Sequence, residues 1–201
     1  MNYERISHKA MNKTQIIGIS GSLRKSSANT GLLRAAQRCA QKIAGLEIQI
    51  ADISTIPFFN ADISLADIPT TVSEFINKLN GADAFMFACP EYNYSIAPAL
   101  KNALDWASRA PENAALSGKP VAILGAGGIM GSSRAQYHLR QVCVFLNLYP
   151  VNKPEIFANA FTDFDANGDL TQVKTEQLIE AQLRALALMA QGNGSPSVLQ
   201  N

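Results

Sequence analysis

Short apolar runs alternate with longer stretches of helical periodicity along this chain. Residues 15–20 (QIIGIS) form a β-rich run that ends in a Gly/Ser turn. From Thr30 onward, Leu32, Leu33, Ala36, Cys39, Ala40 and Ile43 recur at helical spacing, and Gly45 stops that helix. Residues 46–51 alternate as a second strand would, and residues 71–80 read as a second helix. Between them, 52–69 is a long irregular connection with two prolines and the apolar patch Ile56-Pro57-Phe58-Phe59. Residues 84–89 (AFMFAC) are continuously apolar, as a strand buried on both faces should be. A turn is expected over 90–97, then a helix that starts at Pro98 and runs to about Arg109. Residues 120–124 (PVAIL) predict another buried strand before a glycine-rich loop, and a helix follows over 133–147. A fifth strand is expected near 148–151 or 155–157, and the last helix carries Ile179, Leu183, Leu186 and Ala190 on one stripe.

About five alternations of strand and helix imply an α/β fold: three layers, with a doubly wound parallel sheet between helices. In such sheets ligands bind beyond the carboxyl ends of the strands, where strand order reverses. The loops after Ser20, Cys89 and Leu124 should therefore converge. The 201 residues suit one domain, expected over 14–191, with a flexible extension over 1–13 and a disordered polar tail over 192–201. Met11 is a second candidate start.

Composition narrows the function. Seventeen basic residues balance 16 acidic ones, so neither a nucleic-acid surface nor an acidic electron-transfer face is indicated. Cys39, Cys89 and Cys143 lie far apart, with no metal-type spacing, and read as buried thiols in a reducing compartment. No run is long and apolar enough to span a membrane, and no secretory signal opens the chain, so the expected location is the cytoplasm.

The first loop reads Gly21-Ser22-Leu23-Arg24-Lys25-Ser26-Ser27-Ala28-Asn29-Thr30 and leads into a helix N-terminus, where free N–H groups and the helix dipole favour an anion. Hydroxyls, an amide and two cations there suit a phosphate: Arg24 can grip it bidentately while Ser22, Ser27 and Asn29 donate, with Thr30 in the same cluster. A plain helix cap would explain Ser27 or Asn29 alone, but not the whole group. The order of residues is not that of a Walker loop. The second loop, Pro90-Glu91-Tyr92-Asn93-Tyr94-Ser95, puts two tyrosines where they could flank a flat heterocycle; alone, it reads as an ordinary turn. The third loop, Gly125-Ala126-Gly127-Gly128-Ile129-Met130-Gly131, permits close backbone approach, and its spacing is a weak match to a dinucleotide fingerprint. Residues 163–169 copy the start of a calcium loop. Lys174 occupies the position that must supply a bidentate glutamate, so a Gly-containing turn is expected there instead.

Taken in order, Gly21-Ser22-Leu23-Arg24 with Ser27 and Asn29, then Pro90 to Ser95, then Leu100-Lys101-Asn102-Ala103-Leu104-Asp105-Trp106, and then Arg134-Ala135-Gln136-Tyr137-His138-Leu139-Arg140-Gln141, resemble the NADPH-dependent FMN reductase family, which includes chromate and quinone reductases. The resemblance spans about Ile16 to Phe157. It implies a flavodoxin-like fold with five strands in the order 2-1-3-4-5 and FMN at the switch point. Ser22, Arg24, Ser27 and Asn29, with Thr30 beside them, would hold the FMN phosphate. Pro90, Glu91, Tyr92 and Asn93 would line the ring, with Tyr94 close by, and Gly125, Ala126, Gly127 and Gly128 would face its other edge. The third loop is about one residue shorter than is usual in the family. The implied activity passes hydride from NADPH or NADH through FMN to a quinone, a flavin or a similar small oxidant, in a homodimer or homotetramer. No side-chain catalyst is implied: His8 lies in the extension, and His138 on a helix is expected at the surface or an interface. The alternatives are a flavodoxin-like electron carrier without enzymatic activity and a dehydrogenase that uses the Gly125 loop.

Overall fold

The computed structural model describes residues 13–64 and 66–192. The expected extension and tail lie outside the described residues, apart from Lys13 and Gly192. Five parallel strand positions build the sheet. They are β1 (Thr14–Ser20), β2 (Leu46–Ala51), β3 (Ala84–Ala88), β6 (Pro120–Gly127) and a fifth position shared by β7 (Tyr149–Pro150) and β8 (Ile156–Asn159). Their spatial order is β2-β1-β3-β6, then β7 and β8 together on β6. This is the expected 2-1-3-4-5 order with the fifth strand in two pieces.

Both candidate stretches for the fifth strand are thus strands. Tyr149 and Pro150 pair with Pro120 and Val121, while Ile156 to Asn159 pair with Leu124 to Gly127. Two short strands fit end to end because β6 is eight residues long. Its last three residues are the glycine-rich stretch expected to be loop. They stay in the sheet because their backbone groups still find β8.

Helices α1 (Ala28–Ala40) and α5 (Val173–Ala190) cover one face, and α2 (Thr70–Asn80), α3 (Pro98–Ala107) and α4 (Ser133–Phe145) cover the other. The two-residue side-chain period of the strands divides the core. Ile16, Met86 and Leu124 pack with Leu32, Leu33, Ile179 and Leu183. Their neighbours Ile17, Phe85, Phe87 and Ile123 pack with Phe75, Leu104, Trp106 and Leu139. The strands are apolar on both faces for this reason.

The connection 52–69 is clamped onto α3. The Trp106 indole N–H donates to the Pro57 carbonyl at 2.8 Å, and Asn102 both donates to that carbonyl and accepts from Phe59 N–H. Phe59 meets Trp106 edge-on at 5.1 Å. The Ile56–Phe59 patch therefore splits: Ile56 and Phe59 pack on the core, and Phe58 points outward.

A cofactor-sized cleft at the switch point

Strands β1, β3 and β6 are neighbours, so the loops after them start side by side. Gly21 N–H donates to the Ala88 carbonyl and Cys89 N–H to the Leu124 carbonyl, each at 2.9 Å. The first loop is shaped by Ser20, a residue the sequence reading passed over. Its hydroxyl accepts from Thr30 Oγ1 at 2.9 Å and from Ser22 N–H at 3.3 Å. Thr30 donates into this brace and lines the adjoining cavity, which shares Ser22 and Arg24 with the cleft. Ser27 caps α1 by accepting from Thr30 N–H at 3.2 Å. The N–H groups of Ala28 and Asn29 have no intrahelical acceptor. No acidic residue occupies the first turn of α1, and among the described residues Arg24 has no carboxylate partner.

Asn29, expected among the phosphate-binding side chains, also braces the site. Its amide donates to the Ala126 carbonyl and accepts from Ala126 N–H, both at 3.0 Å, in a buried setting. One amide N–H and one lone pair of the oxygen are used in this way, and the second N–H stays free beside the cleft that Asn29 lines. It ties the start of α1 to the end of β6.

The segment 163–169 supports the same helix start. Asp165 accepts from the N–H groups of Asn167 and Asp169, and Arg34 Nε donates to Asp169 at 2.6 Å. A side chain on Gly31 would fall 1.8 Å from the Gly168 carbonyl oxygen, so glycine permits this close approach. The turn expected over 163–169 is thus a buttress beneath the first loop.

The second loop is not a plain turn. Glu91–Tyr92 (β4) and Ser95–Ile96 (β5) pair antiparallel around Asn93 and Tyr94, whose φ angles are 50° and 66°. Two successive left-handed residues make the tight turn that suits a hairpin. Glu91 is turned toward α4: its carboxylate accepts from Arg134 Nε at 2.7 Å and from the backbone N–H groups of Arg134 and Ala135. The Arg134 guanidinium lies 3.7 Å from the centre of the Tyr94 ring. Asn93, expected to line the ring, and Tyr94, expected close by, are not among the residues that line the cleft.

In the third stretch, Gly125 also fails to reach the cleft. It is buried in β6, where an added side chain would fall 2.1 Å from Ser132 Oγ and 2.4 Å from the Cys89 carbonyl oxygen. Ala126, Gly127 and Gly128 do reach it.

The result is a cleft of about 330 Å³ lined by Ser22, Arg24, Ser27, Ala28, Asn29, Pro90, Glu91, Tyr92, Ala126, Gly127, Gly128, Ala160 and Phe161. Ala160 and Phe161 follow β8 and went unpredicted, since nothing in their local sequence marks a wall. One end of the cleft holds a cation, hydroxyls and a helix start. The remainder is walled by Tyr92, Ala126, Ala160 and Phe161. The volume lies in the range of about 300–1,000 Å³ typical of small-molecule sites. A phosphate joined to a flat apolar heterocycle matches this division, so the residues present fit FMN.

Among the described residues, no activated thiol lines the cleft. Burial pushes the Cys89 and Cys143 thiols up to about 12, which keeps them protonated. His138 Nδ1 lies 3.0 Å from Ser95 Oγ, outside the cleft lining.

Comparison with known proteins places this architecture. A family model described as NADPH-dependent FMN reductase matches residues 14–163. An NAD(P)H:quinone oxidoreductase of Solanum tuberosum is 49% identical over 181 residues, covering 88% of this chain and 92% of the relative. An NAD(P)H-dependent FMN reductase of Pseudomonas aeruginosa is 50% identical over 176 residues, covering 87% and 94%. Among solved structures, the flavoenzyme NAD(P)H:(acceptor) oxidoreductase FerB of Paracoccus denitrificans superposes with a TM-score of 0.79 at 29% identity, over 90% of this chain and all of that one. An archaeal flavodoxin shares the fold at a TM-score of 0.60 and 11% identity, covering 88% of this chain and 99% of that one. With three loops converging on one two-ended cleft and a family match over most of its length, the chain belongs to the NADPH-dependent FMN reductase family.

Proposed function

We infer that this chain is an FMN-dependent NAD(P)H oxidoreductase that delivers electrons to a quinone or a similar small acceptor. The observation that carries the reading is the two-ended cleft, where Arg24 and the start of α1 face one end and apolar residues wall the other. Ser22, Arg24, Ser27 and the N–H groups of Ala28 and Asn29 would hold the phosphate. Arg24 supplies a charge-assisted contact, and the helix dipole adds to it. Pro90, Glu91 and Tyr92 on one side, with Ala126, Gly127 and Gly128 on the other, would fix the ring with backbone groups. Phe161 and Ala160 would shield its apolar edge. FMN, when bound, supplies the redox chemistry, accepting hydride from NAD(P)H and returning electrons to the acceptor. The protein's own contribution is binding, orientation and N–H dipoles near developing negative charge. No side-chain acid, base or nucleophile is required.

Quinone is the first acceptor to test, because relatives at 49% and 41% identity are named quinone oxidoreductase and quinone reductase. Free flavin and oxyanions such as chromate are further acceptors that the family resemblance suggests. A flavodoxin-like carrier is the second reading; the near-neutral charge balance, 17 basic against 16 acidic residues, disfavours it. We place the protein in the cytoplasm as a homodimer or homotetramer with no nucleic-acid partner. No described helix is long and apolar enough to cross a membrane. Tyr137, Val144 and Phe145 leave an apolar strip of α4 exposed for subunit contact. The test is steady NADPH consumption with a soluble quinone after FMN reconstitution, with no partner protein present. Consumption no faster than that of free FMN with the same quinone would reject the enzyme reading.

A further inference from the structure

We propose that Arg134 is a positioning residue that holds the ring-facing hairpin against the start of α4, and so sets the spacing between the two loops that would grip the flavin ring. The proposal rests on the FMN reading above and adds a residue that does not line the cleft. Arg134 touches both ends of the hairpin. Its Nε donates to Glu91 at the base at 2.7 Å, and its guanidinium stacks 3.7 Å from the Tyr94 ring centre at the tip. Tyr94 needs such a partner. Hairpins of this kind favour Asn followed by Gly, and here Asn93 is followed by a tyrosine at φ 66°, a conformation that bulky residues rarely adopt. The stacked cation stabilises the ring in that strained place.

The same contact serves α4. Ser132, at its N-cap, is itself left-handed at φ 67° and makes no side-chain cap bond. Glu91 fills that role from the hairpin by accepting from Arg134 N–H at 3.1 Å and Ala135 N–H at 3.4 Å. Because α4 starts directly after the third loop, the Glu91–Arg134 pair joins the wall formed by Pro90–Tyr92 to the wall formed by Ala126–Gly128. Ser95 and His138 add a second tie between the same elements at 3.0 Å. Arg134 acts through these neighbours, on the ring end of the site alone. The phosphate end is built by α1 and its buttress, which Arg134 does not touch.

The test compares FMN with riboflavin, which has the ring but no phosphate. Dissociation constants for both are measured by flavin fluorescence on apoprotein of wild type, R134A, R134K and R134A/Y94G. R134A is expected to weaken FMN and riboflavin by the same factor, about tenfold, leaving their ratio unchanged. R134K keeps a cation near Glu91 but lacks the planar stack, so it should fall between wild type and R134A. Glycine is at ease at φ 66°, so R134A/Y94G should bind riboflavin several-fold more tightly than R134A. A purely structural role for Arg134 predicts no such rescue. If R134A does not fold, R134K and R134K/Y94G carry the same comparison. Unchanged riboflavin binding in R134A, a loss confined to FMN, or failure of Y94G to restore binding would each overturn the proposal. If wild type binds neither flavin, the FMN reading itself fails and this inference falls with it.

Discussion

Replacing Asn29 with alanine tests whether α1 and β6 are tied together as the structure shows. The Ala126 N–H and carbonyl lie on the side of β6 where β3 has already ended, since the β3–β6 pairing stops at Ala88 and Leu124. Asn29 supplies there the two hydrogen bonds that a strand would have made, each at 3.0 Å. Asn29 is 5% exposed and Ala126 3%. Truncation leaves one buried donor and one buried acceptor without partners, and each costs roughly 1–3 kcal/mol. The site borders the cleft, so water can reach one of the two groups, and we expect a total loss of about 2–4 kcal/mol. With a urea m-value of about 2 kcal/mol/M, the unfolding midpoint of the apoprotein should drop by roughly 1–2 M. The m-value itself should not change. FMN binding should weaken in parallel, because the phosphate end and one ring wall lose their common brace. A midpoint within about 0.3 M of wild type, at equal m, would show that the Asn29 bridge carries little of the fold and refute the assignment.

Two further outcomes follow from the packing. Gly125→Ala forces a methyl to within 2.1 Å of Ser132 Oγ and 2.4 Å of the Cys89 carbonyl oxygen. It should cost roughly 1–3 kcal/mol and lower the melting temperature by several degrees. Gly128→Ala, whose nearest neighbour would be a Phe161 ring carbon at 3.8 Å, should melt as wild type does, and equal melting of the two variants would contradict the buried placement of Gly125. The Cys89 and Cys143 thiols titrate near 12 in the fold, against about 9 for a free thiol. The unfolded chain therefore releases their protons first. Stability from these groups is complete below pH 9 and should fall by about 1.4 kcal/mol per pH unit per thiol as pH rises toward 12. Urea midpoints measured across that range should flatten in Cys89→Ala, and an identical slope in the variant would contradict the buried-thiol assignment.

The sheet was legible because its strands are buried on both faces and read as unbroken apolar runs, such as 84–88 and 120–124. The helices were legible from their stripes, with ends that shifted by a residue or two except in α1, which stops at Ala40 although its stripe reads on to Ile43. Elements that exist only through pairing were not legible. Each strand of the Glu91–Ile96 hairpin is two residues long, and its turn lacks the Asn–Gly signature. The fifth strand divides because β6 runs on through Gly127, and a glycine-rich stretch reads as loop until β8 is seen beside it. At the site, residue type marked a polar, cationic loop at a helix start but could not say which polar atoms were already engaged. Asn29, Thr30 and Glu91 look like ligands in sequence, and in the fold their side chains also brace neighbouring elements. Ala160 and Phe161 are 130 residues beyond the first loop, and only the crossover topology brings them to the cleft.

The proposed oxidoreductase needs the loop between β1 and α1 to grip the phosphate of a flavin mononucleotide, and Arg24→Ala addresses this most directly. The dissociation constants of FMN and riboflavin are measured on the same apoprotein, wild type and variant. Loss of one charge-assisted contact of about 1.5–3 kcal/mol should weaken FMN by roughly ten- to a hundredfold. Riboflavin binding should stay within a factor of about two, since it carries no phosphate. An unchanged FMN constant, or an equal loss for riboflavin, would contradict the account.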